Sequence, residues 1–150
     1  MKSAGILLYR RAGGALEVLL AHPGGPFWAR RDDGAWTIPK GLIEPGETAA
    51  AAAAREFLEE LGTAATGTLV PLGNVRQRGG KHVEAFALEG DFDVATLRSN
   101  TFETEWPPRS GHVHTYPEVD RVAWMDLATA RLKLLQAQRP LLDRLEAAIG

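Results

Sequence analysis

The sequence contains no cysteine. That excludes disulfide scaffolds, thiolate metal sites and a cysteine nucleophile, and it fits a reducing compartment. Long hydrophobic runs are also missing. No stretch reaches the roughly 18 apolar residues of a spanning helix, so no membrane contact is expected. The apolar run Ile6-Leu7-Leu8 leads directly into Arg10 and Arg11. It is too short for a signal peptide, and a cytoplasmic location is the expectation. An excess of charge of one sign is lacking too: 17 Lys and Arg stand against 19 Asp and Glu, a formal net charge of −2. Domains that bind duplex nucleic acid through its phosphates are ordinarily basic, so duplex nucleic acid is not an expected partner. With no linker or internal repeat, the 150 residues read as one domain, 1–150. Their 45% hydrophobic and 24% charged residues are those of an ordinary globular chain and disfavour disorder.

The order of elements predicts a mixed α/β (α+β) fold. Ala4–Arg10 and Leu16–Ala21 read as a hairpin turned by Gly13-Gly14. A short strand is expected over Ala35–Ile38, ended by Pro39 because proline cannot donate to a ladder. A helix follows over Thr48–Leu61, opened by six alanines, the best helix formers. Strands are expected at Leu69–Arg76 and His82–Leu88 around Gly79-Gly80. The proline-bearing segment Asn100–Pro117 reads as a long loop. A last strand at Val119–Met125, with Trp124 in the core, precedes a helix over Leu127–Arg139 interrupted at Pro140. A further helical stretch runs to Ile149.

The predicted helix Thr48–Leu61 carries the chemistry. On a helical wheel, Ala50, Ala54, Phe57, Leu58 and Leu61 form one apolar stripe. Glu56, Glu59 and Glu60 fall elsewhere, at spacings that make them neighbours. Like charges there repel, and they crowd the end of a helix that Gly62 terminates, where the macrodipole favours cations. Arg55 offsets part of this through its pairing with Glu59. A Glu-Glu pair alone is ordinarily a solvated acidic face. Three clustered carboxylates that break a local rule point to function, and they suit a hard divalent cation such as magnesium. No segment has the spacing of a twelve-residue calcium loop.

These residues resemble the signature of the Nudix hydrolases, Gly-x5-Glu-x7-Arg-Glu-U-x-Glu-Glu-x-Gly-U with U aliphatic. Gly41, Glu47, Arg55, Glu56, Glu59, Glu60 and Gly62 stand at its fixed positions. Phe57 and Thr63 depart from the two aliphatic ones. At average residue usage the fixed positions match by chance about once in 10⁹ windows. The resemblance implies a Nudix-type α/β/α sandwich, with a mixed sheet between helices. It also implies a Mg2+- or Mn2+-dependent pyrophosphohydrolase. Water would attack phosphorus in a nucleoside diphosphate linked to another group, with nucleoside triphosphates and dinucleoside polyphosphates ranked first. ADP-ribose and nucleotide sugars rank next. A non-catalytic nucleotide-binding sensor module is the alternative, although such modules usually lack a signature glutamate. Carried over by position, Glu59, Glu60 and the Gly41 carbonyl ligate metal. Glu56 is a further ligand or the base that activates water. Arg55 orients the carboxylates, Glu47 is an auxiliary acid, and Gly46 supplies a turn. Family members are often dimers, so the resemblance leaves room for a homodimer.

Outside the signature, many members add an acidic ligand from a loop near the last strand. Glu118 is the first choice here, ahead of Glu103 and Glu105. Lys40, in Trp36-Thr37-Ile38-Pro39-Lys40-Gly41, is similar to a lysine in relatives that act on dinucleoside and diphosphoinositol polyphosphates. It is a point charge for a small-molecule polyphosphate substrate. Arg76, Arg78, Lys81 and Arg109 are further candidates to meet phosphates, with Lys81 and Arg109 preferred. Phe27, Trp28, Trp36 and Trp106 are candidates to stack on a base. His22, His82, His112 and His114 read as loop or strand-surface residues.

Overall fold

A computed structural model describes residues 2–149. Strands β1 (Lys2–Ala12) and β2 (Ala15–Pro23) form the expected hairpin. β4 (Val70–Arg76) and β5 (His82–Glu89) form a second. β3 (Lys40–Leu42) and β8 (Val119–Asp126) complete a six-stranded sheet, in which β1 and β5 pair parallel and every other pair is antiparallel. The path runs β4-β5-β1-β2-β8, with β3 against β1.

Helix α1 (Ala49–Leu61) packs on one face, and α2 (Leu127–Lys133) and α3 (Pro140–Ile149) pack on the other. That arrangement explains why β1 is apolar without alternation. Ile6 and Leu8 meet Ala52, Ala53, Phe57 and Leu61 of α1. Leu7 and Tyr9 point the other way, toward Leu134, Leu141, Leu142 and Leu145. A strand covered on both faces has no polar side to show. The mixed sheet between helical layers is the sandwich expected from the sequence.

Helix α1 matches its predicted span because both ends carry caps. The Thr48 hydroxyl accepts from the Ala51 N–H at 3.1 Å, and Gly62 closes the helix in the left-handed conformation (φ 81°). Gly46 turns the chain just before it with φ 80°. The buried stripe is rotated from the one expected. Ala52, Ala53, Phe57 and Leu61 are buried, Ala50 and Ala54 are partly covered, and Leu58 is exposed. The rotation turns Glu56 and Glu60 toward the sheet edge instead of leaving them fully solvated.

Several expectations are corrected. Ala35–Ile38 is not a strand. Trp36 bonds the α2 end (Lys133 and Leu135) while Thr37 bonds Ala21 of β2, so the segment makes two isolated bridges. Nor does Pro39 end a strand. It precedes β3, and its carbonyl accepts from the Ile6 N–H at 3.1 Å. Gly5 makes that approach possible, since a Cβ there would lie 2.6 Å from the Pro39 oxygen. The predicted loop Asn100–Pro117 is an antiparallel hairpin of β6 (Thr101–Glu105) and β7 (Val113–Pro117). Its prolines occupy the turn and the strand end, where no ladder donor is needed. The helix expected over Leu127–Arg139 stops at Lys133. Pro140 then starts α3, where its missing N–H costs nothing, rather than interrupting a helix. Trp124 is only partly buried; Arg10 stacks 4.0 Å from its ring centroid and its indole N–H bonds the Phe92 carbonyl.

One buried amide adds a further hold on the stretch that leads into β3. Gln138, fully buried, accepts from the Ile38 N–H at 2.9 Å and donates to the Gln77 side chain at 3.0 Å. Gln138→Leu leaves the Ile38 N–H buried and unpaired. It is expected to cost about 1–3 kcal/mol in chemical denaturation; an unchanged midpoint would show that the amide carries no weight.

Candidate functional site

β3 and α1 meet at one edge of the sheet, and the signature residues collect there. Arg55 is the centre. Its Nε and Nη2 donate to the two oxygens of Glu47 at 2.7 and 3.0 Å. Nη1 donates to Glu56 Oε1 at 2.9 Å and to Glu59 Oε2 at 3.1 Å, and Nη2 also donates to the Leu42 carbonyl at 2.9 Å. A guanidinium has five N–H donors, and these bonds engage all of them. The repulsion between Glu56 and Glu59 is thus met by one cation whose planar fork fixes their directions.

Glu47 belongs to this anchor. One of its oxygens also accepts from the Glu44 N–H at 3.0 Å. The Arg55 guanidinium, with that backbone donor, holds the Glu47 carboxyl down at about 2. Arg55 itself is held still more firmly protonated by Glu47.

The more buried carboxyls behave differently. Burial pushes the Glu60 carboxyl up to about 8, with Lys40 pulling the other way. Glu56 and Glu118 are also raised, first by burial; Arg55 opposes the shift at Glu56 and Lys40 opposes it at Glu118. Burial lowers Lys40, against the attraction of Glu60. The Glu60 carboxylate accepts weakly from the Lys40 backbone N–H at 3.3 Å. These are carboxyls poised to exchange protons for a cation.

Gly41, Arg55, Glu56, Glu59, Glu60, Lys40 and Glu118 line one cleft of about 430 Å3. Gly41 is required by contact: a Cβ there would lie 2.0 Å from the Glu56 carboxylate carbon. Among the described residues, no three His, Asp or Glu side chains converge into a ready-made cation cage. The donor set nevertheless fits a hard divalent cation, being all oxygen and drawn from Glu56, Glu59, Glu60, Glu118 and the Gly41 backbone. A cation that retains several waters does not need a closed cage.

A second cleft, of about 300 Å3, adjoins the first and shares Lys40, Glu60 and Glu118 with it; Lys81 also lines it. Lys81 therefore lies near the carboxylates. Arg109 does not: it sits at the tip of the β6–β7 hairpin, and its backbone N–H bonds Glu105 at 2.7 Å. Glu105 is occupied in bracing that turn, and Glu103 is exposed on β6. Trp36 is buried rather than available for stacking, whereas Phe27, Trp28 and Trp106 border a further cleft beside Glu118.

Sequence reading missed the residues that brace the site. His22 is fully buried instead of lying in a loop or on a strand surface. Its Nδ1 lies 2.8 Å from Asp120 Oδ1, and its Nε2 lies 2.7 Å from the Arg31 carbonyl. It ties the β2–β3 connection to β8. The run Leu19-Leu20-Ala21 before it was the available signal, since it continues a strand buried on both faces.

Comparison with known proteins follows the same lines. The NUDIX domain family matches residues 1–145. An octanoyltransferase of Myxococcus xanthus is 32% identical over 136 residues, 89% of this chain and 33% of that protein. The asymmetrical bis(5'-nucleosyl)-tetraphosphatase of Caenorhabditis elegans is 40% identical over 60 residues, covering 40% of this chain and 39% of that protein. The chain thus matches between a third and two-fifths of the length of these relatives. The crystal structure of a C. elegans Ap4A hydrolase binary complex superposes with a TM-score of 0.68. It covers 98% of this chain and 97% of that one at 24% identity, a likeness of fold.

The depressed Glu47 carboxyl generates a prediction with a definite sign. Its ionic contribution to stability is complete above its ordinary value of 4.5 and is lost as pH falls toward about 2. Thermal unfolding should show Glu47→Gln less stable than the parent by a constant margin from pH 7 to 4.5. The margin should shrink steadily below that; one that persists undiminished at pH 2 would contradict the assignment.

Proposed function

On the premise that the chain belongs to the NUDIX domain family, matched over residues 1–145, we propose that it is a metal-dependent pyrophosphohydrolase. Its substrate is a nucleoside diphosphate linked to another group, foremost a nucleoside triphosphate or a dinucleoside polyphosphate. The observation that carries this reading is the single cleft uniting Arg55, Glu56, Glu59, Glu60 and the half-hidden Lys40. Phosphoryl transfer asks a protein for positioning and charge neutralisation more than for covalent chemistry, and this cleft is built of those two things.

Glu59, Glu60, Glu118 and the Gly41 carbonyl would hold Mg2+ or Mn2+, with Glu56 as a further ligand or as the base. The cation supplies charge neutralisation on the phosphate oxygens and activation of water. The chain's own residues do the rest. Arg55 donates to Glu56 Oε1 and the Glu56 carboxylate lies against Gly41; as the base, its other oxygen would take a proton from attacking water. Lys40 lines the same cleft as the helix carboxylates and supplies a cation to meet the phosphate charge. The relative named as a tetraphosphatase and the fold neighbour named as an Ap4A hydrolase support a polyphosphate substrate.

Glu59→Gln and Glu60→Gln should each lower hydrolysis about 100-fold or more while leaving the thermal midpoint near that of the parent. A panel of nucleoside triphosphates, dinucleoside polyphosphates, ADP-ribose and nucleotide sugars, followed chromatographically with Mg2+ and with Mn2+, reads both activity and class. Tight nucleotide binding without turnover would point to a sensor module instead. Full activity in both variants would remove the metal assignment.

A further inference from the structure

Three clefts join end to end across the mouth of the sheet. The middle one holds Lys40, Glu60 and Glu118. At one end it shares Pro23, Trp28 and Glu118 with a cleft of about 310 Å3 bordered by Phe27, Phe102 and Trp106. At the other end it shares Gln77, Lys81 and Leu135 with a cleft of about 600 Å3 that also carries Arg76 and Arg78. The trough is therefore aromatic at one end, carboxylate-bearing in the middle and cationic at the other.

Each end is braced. Phe27 and Trp28 meet edge to face at 5.0 Å, and Arg31 stacks 4.5 Å from the Phe27 ring. The Arg31 carbonyl is in turn held by His22. Phe102 closes the opposite wall so tightly that a Cβ on Gly25 would lie 2.9 Å from its ring tip. The cationic end rests on Gln77, fixed by Gln138. Residues 76–81, Arg-Gln-Arg-Gly-Gly-Lys, hold three cations and no acid. Among the described residues, none of the three enters an ion pair. In a chain of net charge −2, three unpaired cations on one wall form a local site for anions.

We propose that the trough binds an extended nucleotide: its base stacks in the aromatic cleft, and the phosphates beyond the reacting anhydride lie against Arg76, Arg78 and Lys81. This rests on the pyrophosphohydrolase reading and deepens it, because it makes phosphate number the selected property. The two phosphates of ADP-ribose end before the basic wall and only its neutral terminal ribose extends further; a triphosphate or tetraphosphate brings charge to the wall. Arginine suits that wall, since its fork pairs with phosphate oxygens in two places at once.

The test uses the double variant R76A/R78A, whose changes lie on exposed side chains. KM is measured against phosphate number, from ADP-ribose through a nucleoside triphosphate to a dinucleoside tetraphosphate. The expected rise is about tenfold on the tetraphosphate and at least fivefold smaller on ADP-ribose. In parallel, inorganic tripolyphosphate and pyrophosphate are titrated calorimetrically into the metal-free parent and variant, a readout that needs no turnover. The variant should lose about tenfold on tripolyphosphate and clearly less on pyrophosphate. W106A should raise KM on every nucleotide alike and leave tripolyphosphate binding in place. Equal losses for all phosphate numbers, or no loss in either assay, overturns the proposal. A parent that hydrolyses nothing yet shows the tripolyphosphate preference overturns the enzyme reading while sustaining the anion site.

Discussion

The Arg55 guanidinium is the contact on which the site depends. Glu56, Glu59 and Glu60 crowd the end of a helix whose dipole opposes negative charge, and they mutually repel. A lysine would supply the same charge but only three donors on a single nitrogen, without the planar fork. Arg55 spends its five N–H donors on Glu47, Glu56, Glu59 and the Leu42 carbonyl, and so converts repulsion into fixed geometry. It also ties α1 to the end of β3 through the Leu42 carbonyl, next to Gly41, which packs against the Glu56 carboxylate. Glu47 keeps this anchor ionised over a wide pH range while the inner carboxyls, raised by burial, stay ready to release protons.

The rest of the fold serves that edge. The sheet is covered on both faces, so its rigid strands β1 and β2 carry β3 and the β2–β3 connection in fixed register. Gly5 admits Pro39 at close range, Gln138 holds Ile38, and His22 holds Arg31. Each of these is a single small residue or buried polar group, and each acts on the position of backbone a few residues from the cleft. Displacing backbone there by a fraction of an ångström shifts the side chains that line the cleft, and positioning is what the proposed chemistry demands.

Much of this was legible in the sequence. The sequence pattern located the helix, its glycine stop and its carboxylates, because those depend on local periodicity and end chemistry, whereas the Thr48 cap came from the structure. The hairpins β1–β2 and β4–β5 announced themselves through glycine turns. What was not legible depends on distant partners. Nothing near His22 indicates Asp120, 98 positions away. The bridges of Trp36 and Thr37 are set by elements on both sides, so a local strand pattern there gave the wrong element. The β6–β7 hairpin was hidden by prolines that in the folded chain lie where donors are not needed. The wheel placed Leu58 in the core by arithmetic, yet the helix turns to let Ala52 and Ala53 meet the sheet, because alanine permits closer approach than leucine.

The most direct test of this account separates charge from geometry at its centre. Mn2+ binding to the purified Arg55→Lys protein, read by electron paramagnetic resonance, keeps the charge and removes the fork. If Arg55 organises the carboxylates through directed bonds, the folded variant binds Mn2+ about tenfold or more weakly than the parent. Equal affinity in a variant that retains its fold would contradict the claim.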